Sequence, residues 1–327
     1  MDLVTFGEAM IRLSPPNFER LEQTTTLDVR IGGAELNVAV NASRLGLETA
    51  WVSRLPNNPL GRMMRNKARE QGVDTSYIIW SDEDRMGLYF LELGASPRAS
   101  SVMYDRANSA VSKIQPREVK WDRILEGVKA FHTTGITPAL SDSAAQVTAE
   151  ALEAAKKAGC QITYDLNFRS RLWSREKARQ VQTPFMEYVD ILFTTEADTF
   201  RVFDIRRDNY RDVAVELAER FGFKIVVITL RDVISVWRNK WSAFAYSDGN
   251  FYEARTYDVE VVDRVGGGDS CTAGFLYRYL TTGDIASAIE YGVAFSALKH
   301  SLPGDFNWCT PEEVEAQLAG AALRISR

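Results

Sequence analysis

Residues 261–275 read VVDRVGGGDSCTAGF. An extended run becomes a glycine loop and then a helix, which we predict to continue to about Leu280. Three consecutive glycines, Gly266, Gly267 and Gly268, let backbone amides approach an anion closely, and the helix N-terminus places the positive end of its dipole at the same point. The pattern predicts a phosphate-binding turn.

Asp269 follows the three glycines at the start of this helix. A carboxylate there could take a proton from an attacking hydroxyl while the amides hold a phosphoryl group in transfer. An Asp at such a position also commonly caps a helix, so the loop alone leaves both interpretations open. The loop matches neither the P-loop pattern nor the dinucleotide-binding glycine pattern, which weakens both of those interpretations.

A second glycine turn opens a helix near the N-terminus, where residues 31–46 read IGGAELNVAVNASRLG. Apolar side chains pack this helix, and Asn37 and Asn41 add two amides to it. Beside a glycine turn these amides could bind sugar hydroxyls; satisfied core asparagines are the alternative.

Short apolar runs alternate with longer amphipathic segments along most of the chain. The former are typical of buried strands and the latter of helices, and their alternation favours a parallel sheet covered on both faces. Gly283 and the Thr310, Pro311 and Glu313 start signal indicate that three helices close the chain. The predicted strands are residues 3–6, 50–52, 130–133, 161–164, 191–195 and 224–229, and the predicted helices include 61–71, 143–157, 175–188 and 211–221.

Two segments, residues 11–30 and 86–108, interrupt this alternation with strand-like runs. Together they could form a small β lid over the sheet edge where ligands usually bind. Because no linker or repeat divides the chain, we expect a single domain over residues 1–327 with this lid inserted in it.

Composition excludes several classes of protein. The net charge of the 327 residues is −5, and acidic and basic residues are interspersed, so nucleic acid is an unexpected partner. The N-terminus lacks signal-peptide features and no apolar run could span a bilayer, so we expect a cytoplasmic protein without a membrane partner. Three distant cysteines and two histidines favour neither disulfides nor a histidine-rich metal centre.

Together the two glycine segments resemble the signature regions of the PfkB or ribokinase-like carbohydrate kinases, and the resemblance extends over nearly the whole chain. GGAELNVAVNASRLG is similar to the family's sugar-binding segment and DRVGGGDSCTAGF to its D-T-x-G-A-G-D segment. The resemblance implies a doubly wound, three-layer α/β core with a β lid and Mg-ATP as phosphoryl donor. It also implies roles for individual residues: Asp269 as catalytic base, Gly266, Gly267 and Gly268 as anion hole, and Gly33, Ala34 and Asn37 as sugar contacts.

The chain departs from the family pattern near the glycine loop, where Arg264 replaces the usual Thr and Gly267 the usual Ala. Some relatives build a monovalent-cation loop next to this strand, with Asp263 as a neighbour. Arg264 puts that loop in doubt and leaves a potassium site open.

Two further departures concern the nucleotide side. Thr195 and Asp198 stand where relatives often carry Asn-x-x-Glu near the phosphates, so Asp198 is the candidate for organising Mg²⁺, with Glu196 as a substitute. Arg231 lies where many relatives have a glycine-containing loop; it is either a phosphate contact or a surface arginine.

Four residues predict the substrate: Tyr89, Tyr104, Arg106 and Arg169. Aromatic rings stack on sugars, and two guanidinium groups would suit a sugar acid better than a neutral hexose. In the family, residues 104–106 and 165–169 resemble the sugar-acid contacts of 2-keto-3-deoxygluconate kinases, which implies that substrate and its 6-phosphate as product.

The segment KHSLPGDFNW, residues 299–308, resembles the border of the adenine pocket in those kinases. It implies His300, Gly304 and Asn307 as nucleotide contacts. A kinase for a neutral ketose such as fructose and a catalytically silent sugar-binding regulator are the alternatives to a sugar-acid kinase. Family lids often join two copies, so we also expect a homodimer through the lid.

Overall fold

Fourteen strands and ten α-helices make up the structure, a computed structural model that describes residues 1–320. The strands in chain order are β1 (Leu3–Phe6), β2 (Met10–Ser14), β3 (Asp28–Gly32), β4 (Thr49–Pro56), β5 (Ile78–Ser81), β6 (Leu88–Glu92), β7 (Ser101–Asp105), β8 (Ala130–Thr134), β9 (Gln161–Asp165), β10 (Ile191–Thr194), β11 (Ile225–Val233), β12 (Arg238–Ser247), β13 (Asn250–Glu253) and β14 (Tyr257–Glu260). The helices are α1 (Ala34–Leu45), α2 (Pro59–Glu70), α3 (Trp121–Ile124), α4 (Asp142–Ala158), α5 (Arg175–Phe185), α6 (Glu196–Phe203), α7 (Tyr210–Phe221), α8 (Gly267–Thr282), α9 (Ile285–Lys299) and α10 (Pro311–Leu318).

The large sheet has the strand order β13-β12-β11-β10-β9-β8-β1-β4-β5, and β14 also pairs with β12. Every pair from β5 to β11 is parallel. Helices α1, α8, α9 and α10 pack on one face, and α3 to α7 pack on the other. This arrangement confirms the predicted doubly wound, three-layer α/β core.

The expected parallel sheet is wrong at one edge, where β11, β12, β13 and β14 pair in antiparallel fashion. Strand β11 does not end at Thr229 but runs on to Val233 and returns as β12. No glycine follows Thr229, so nothing there interrupts the extended backbone before Ile234, and the strand continues.

The end signals of the C-terminal helices are confirmed. Gly283 ends α8 with a left-handed backbone, φ 72°. Thr310 starts α10 with a capping box: its N–H donates to Glu313 Oε2 at 2.7 Å, and its hydroxyl accepts from the Glu313 N–H. Three helices therefore follow the glycine loop, as predicted.

The second sheet, which we call the lid, has the order β3-β2-β6-β7 and lies in the two segments that interrupt the alternation. In the first segment, the lid begins with β2 at Met10 and ends with β3 at Gly32. Cross-strand partners point to the same side of a sheet, so Arg12, Tyr89 and Tyr104 share one face. That residues 1–327 form a single domain stays a prediction.

Two further expectations concern the cysteines and membrane-spanning helices. Cys160, Cys271 and Cys309 are buried and form no disulfide. Within residues 1–320 no helix is both long enough and apolar enough to cross a membrane.

The outer face of the lid generates a prediction about assembly. Leu13, Val29, Phe90 and Met103 align across the four strands, and Val29 and Met103 are 55% and 53% exposed. Burying this apolar stripe against a second copy would remove it from water. We expect sedimentation velocity to show a dimer at micromolar concentration, and Val29→Glu to shift it to monomer. Leu60→Glu, at an exposed site away from the lid, should leave the dimer intact; a wild-type monomer would contradict the prediction.

Candidate active site

A cleft of about 1050 Å³ opens between the lid and the carboxyl ends of the parallel strands. This is where ligands bind in doubly wound sheets. Most of the predicted site residues share its wall: Gly33, Ala34, Asn37, Tyr89, Tyr104, Arg106, Arg169, Thr195, Asp198, Arg231, Gly266, Gly267, Gly268 and Asp269. Folding thus brings together residues more than 200 positions apart.

Asp269 is a partly buried carboxylate in the first turn of α8. It accepts a hydrogen bond from Asn37 Nδ2 at 2.6 Å. Burial raises the pKa of Asp269 to about 6; the Asn37 hydrogen bond opposes that shift and the nearby Asp305 carboxylate adds to it. A carboxylate with this pKa is a stronger base than an ordinary Asp and is still mostly ionised at neutral pH.

The glycine loop brings backbone amides to the same point. Gly266 precedes α8 with φ 81°, and a Cβ there would overlap the Asp305 carbonyl, so only glycine fits. The Gly267 N–H already donates to Arg264 O at 3.2 Å. Gly268 is exposed to the cleft, and first-turn amides have no partner within their helix, so Gly268 contributes the accessible part of the predicted anion hole.

The second glycine turn fixes Asn37. A Cβ on Gly33 would overlap the Glu8 carbonyl, so the chain can pass here only as glycine. The Gly33 N–H donates to Asn37 Oδ1 at 3.2 Å, which turns the Asn37 NH₂ group toward Asp269. Asn41, the other amide of α1, is fully buried and bonds Ser270 Oγ, so for Asn41 the core alternative is correct.

The lid wall of the cleft corrects one premise of the sequence argument. Arg106 is not an unpaired cation: its Nε donates to Glu8 Oε2 at 2.8 Å, and its Nη2 contacts the same oxygen. Ser109 donates to the other oxygen of Glu8. Glu8 is buried just after the carboxyl end of β1 and lines the cleft. Sequence reasoning missed it, although its position just after a buried strand was a usable signal.

Arg169, by contrast, is exposed to the cleft, and no carboxylate among residues 1–320 lies within ion-pairing distance of it. Its positive charge lowers the pKa values of Asp165 and Asp269, but in both groups burial outweighs it. Its Nη1 donates to the Phe168 carbonyl at 3.2 Å, so within the described residues Arg169 has a backbone partner but no carboxylate partner and can meet an anionic ligand on this side.

Asp165 and Asp198 form an acidic wall of the cleft, and the positive charge of Arg169 acts to lower the pKa of both. Burial, and then the charges of Asp269 and Asp198, raise the pKa of Asp165 to about 8. Burial also raises the pKa of Asp198, whose Oδ1 accepts from Arg201 at 3.1 Å. Carboxylates that repel one another are stabilised by a cation.

This wall fits Mg²⁺ that arrives with a nucleotide. The described residues contain no group of three His, Cys, Asp or Glu side chains that could hold a metal alone. Mg²⁺ commonly takes only one or two protein carboxylates and completes its shell with phosphates and waters. Asp198, held at the start of α6 by the Thr195 cap, and the unpredicted Asp165 supply that number.

The far end of the cleft is basic. Arg231 and Arg264 both line it, and partial desolvation followed by the charge of Arg264 lowers the pKa of Arg231. Two neighbouring guanidinium groups favour a bound anion such as a phosphate chain. Strand β12 adds Lys240 and Trp241 to this end, which the sequence argument missed together with the antiparallel edge.

Three predicted nucleotide contacts do not line the cleft. Asn307 is fully buried and donates to Phe295 O at 2.7 Å, and the Gly304 N–H donates to Asp263 Oδ2 at 2.9 Å. His300 is buried beneath Gly267 and packs against Trp241 with the two rings tilted by 50°, and burial lowers its pKa to about 4. All three lie behind the wall of the cleft, and their role as nucleotide contacts stays a prediction.

Comparison with known proteins gives a consistent result. The model of the pfkB family of carbohydrate kinases matches residues 1–312. A 2-dehydro-3-deoxygalactonokinase of Haloferax volcanii is 42% identical over 326 residues, covering 100% of this chain and 99% of that protein. The crystal structure of a 2-dehydro-3-deoxygluconokinase of Thermotoga maritima, also 42% identical, matches with a TM-score of 0.96 over 98% of each chain. A 5-dehydro-2-deoxygluconokinase of Bacillus licheniformis is 31% identical over 92% of this chain and 91% of its own length.

The contact between Asn37 and Asp269 predicts a measurable pKa change. We expect ¹³C NMR titration to place the pKa of the Asp269 carboxyl near 6, and Asn37→Ala to move it higher, because the variant loses the hydrogen bond that stabilises the ionised form. Asp269→Asn assigns the resonance. A wild-type value near 4, or no upward shift in Asn37→Ala, would contradict the burial and the hydrogen bond described above.

Proposed function

Because this chain belongs to the pfkB family of carbohydrate kinases and is a sugar kinase, we propose that it phosphorylates a 2-keto-3-deoxy sugar acid, with 2-keto-3-deoxygluconate as substrate and its 6-phosphate as product. The observation that carries the proposal is the free Arg169 guanidinium in the same cleft as Asp269. A carboxylate bound to Arg169 would orient the far hydroxyl of the substrate toward the base.

The galactonate epimer is the second candidate. The Haloferax relative is named for 2-dehydro-3-deoxygalactonate and the Thermotoga structure for 2-dehydro-3-deoxygluconate, yet each is 42% identical to this chain. The two acids share the carboxylate, the keto group and the terminal hydroxyl, and they differ at C4. Arg169 and Asp269 would serve both acids. Discrimination between the two acids would therefore depend on how the lid wall contacts the C4 hydroxyl.

In the proposed mechanism Asp269 takes the proton from the C6 hydroxyl as that oxygen bonds to the γ-phosphorus of ATP; the bond from the γ-phosphorus to the β,γ-bridging oxygen breaks, and ADP leaves. Asn37 holds the carboxylate in place at 2.6 Å. The Gly268 amide and the α8 dipole stabilise the negative charge that develops on the phosphoryl oxygens. Arg231 and Arg264 hold the remaining phosphates.

Bound Mg²⁺ would neutralise phosphate charge, and Asp198 and Asp165 are the residues that would hold it. The acidic wall supports this assignment because its carboxylates have raised pKa values in the absence of a cation. Glu196, the substitute ligand, also lines the cleft.

A sugar panel with ATP tests the proposal. ADP formation should be measured with 2-keto-3-deoxygluconate, 2-keto-3-deoxygalactonate, fructose and no sugar. We expect kcat/KM for the acids to exceed that for fructose. A preference for fructose would support the neutral-ketose alternative, and sugar binding without ADP formation would support the silent regulator.

Asp269→Asn should keep the fold and the sugar affinity but lower kcat by about a hundredfold or more, because an amide cannot accept the proton. The wild-type kcat/KM should also fall as the pH drops through about 6, where the raised pKa of Asp269 places protonation of the base. Near wild-type turnover in Asp269→Asn would make Asp269 a helix cap only.

Arg169→Ala should raise KM for the sugar acid by about tenfold or more, as expected for the loss of a charge-assisted hydrogen bond, and should barely change KM for a neutral ketose. Arg106→Ala is a poorer probe, because it would leave the buried Glu8 carboxylate without its cation. Arg123→Ala, at an exposed site outside the cleft, is the matched control. Equal losses on acid and neutral substrates would refute the sugar-acid assignment and leave the kinase standing.

A further inference from the structure

A buried lysine lies behind the glycine loop. Lys299 is the last residue of α9, and none of its surface reaches solvent. Its ammonium group donates to the backbone carbonyls of Asp263 at 2.9 Å and Leu302 at 3.2 Å. Lysine is almost never fully buried unless it is paired, so this position demands an explanation.

The two carbonyls belong to the two segments that enclose the anion hole. Asp263 begins the loop that leads to the glycines, and Leu302 lies in the turn that follows α9. The same segments are joined by the Val262 N–H, which donates to His300 O at 2.8 Å, and by the Gly304 N–H, which donates to Asp263 Oδ2 at 2.9 Å. Lys299 therefore ties the loop to the turn from behind.

Lys299 lies among buried charged groups of both signs. Arg12 and Lys299 supply two positive charges, and Asp263 and Asp305 supply two negative ones, all of them buried. Burial lowers the pKa of Lys299, while Asp263 and Asp305 favour its charged form. Without the ammonium, two buried carbonyls would lack a donor and the cluster would carry a net negative charge.

We propose that the Lys299 ammonium is a tethered monovalent cation that holds the glycine loop in position, and that the enzyme needs no free monovalent cation for this purpose. Backbone carbonyls that converge on one point, as those of Asp263 and Leu302 do, are the ligands that a free cation would take. Here the ammonium already occupies that point. The potassium site left open by the sequence therefore does not fit beside Asp263.

The inference rests on the proposed role of the glycine loop as anion hole. Lys299 is fully buried and does not line the cleft, so we treat it as a positioning residue. Its loss should change how well the loop binds the transition state and leave sugar binding alone. That separation distinguishes positioning from a general loss of stability.

The first test compares wild type in potassium chloride and in tetramethylammonium chloride at equal ionic strength. The proposal expects the same kcat and the same Tm in both salts. Activation of wild type by potassium would overturn it.

The second test removes the ammonium. In tetramethylammonium chloride, Lys299→Ala should lower kcat by about tenfold or more with little change in the KM of the sugar acid, as expected when transition-state donors lose their position. Potassium or ammonium ions should enter the vacated space, restore part of kcat and raise the Tm of this variant. Lys299→Met, which fills the space with an uncharged chain, should lose kcat without recovery.

Lys157→Ala is the matched control, since Lys157 is an exposed lysine in the last turn of α4. A wild-type kcat in Lys299→Ala would overturn the proposal, as would a loss that neither cation restores. If Lys299→Ala does not fold, Lys299→Met and the wild-type salt comparison decide the question. If wild type phosphorylates no sugar acid, the proposed substrate fails, and the cation-dependent Tm of Lys299→Ala still tests the tethered cation.

Discussion

The arrangement of the active site depends on one buried ion cluster centred on Arg12. Its two terminal nitrogens contact Asp263 at 2.6 Å and Asp305 at 2.9 Å, and Tyr89 donates to the second oxygen of Asp305 at 2.6 Å. Burial alone would lower the pKa of Arg12, but the two carboxylates raise it and keep the guanidinium charged. Removing one partner of such a cluster typically lowers the free energy of unfolding by about 3–5 kcal/mol, because a buried charge is left uncompensated.

This cluster connects three distant parts of the chain. Arg12 lies on the lid, Asp263 opens the glycine loop, and Asp305 follows α9. Asp305 also sets the backbone of the loop, because its carbonyl leaves no room for a side chain at Gly266, and its carboxylate leaves none at Gly32. Side chains of the protein itself therefore hold the lid and the two glycine turns to one another, which suits the positioning that the proposed phosphoryl transfer requires.

Charge is divided along the cleft in a way that suits the proposed reaction. The acidic wall of Asp165 and Asp198 lines the same cleft as Asp269 and Arg231. Buried carboxylates with raised pKa values are costly for the free protein, and a cation bound with the nucleotide would relieve that cost. Burial also raises the pKa of Asp269, which suits the role of base that we propose for this carboxylate.

Local pattern determined much of this protein. The alternation of apolar runs and amphipathic segments was sufficient for the layered core and the lid, because strand and helix periods are local properties. The glycine loop, Asp269 and Asn37 could be identified because each lies at a turn that opens a helix.

Which side chains pair with one another was decided only by the tertiary structure. Arg106 and Arg169 look alike in sequence, yet Glu8 binds the first and leaves the second free. Likewise, only the tertiary structure shows that His300, Gly304 and Asn307 lie behind the wall of the cleft. Hydrogen bonds and ion pairs between residues hundreds of positions apart depend on distance in space, which the sequence does not encode locally.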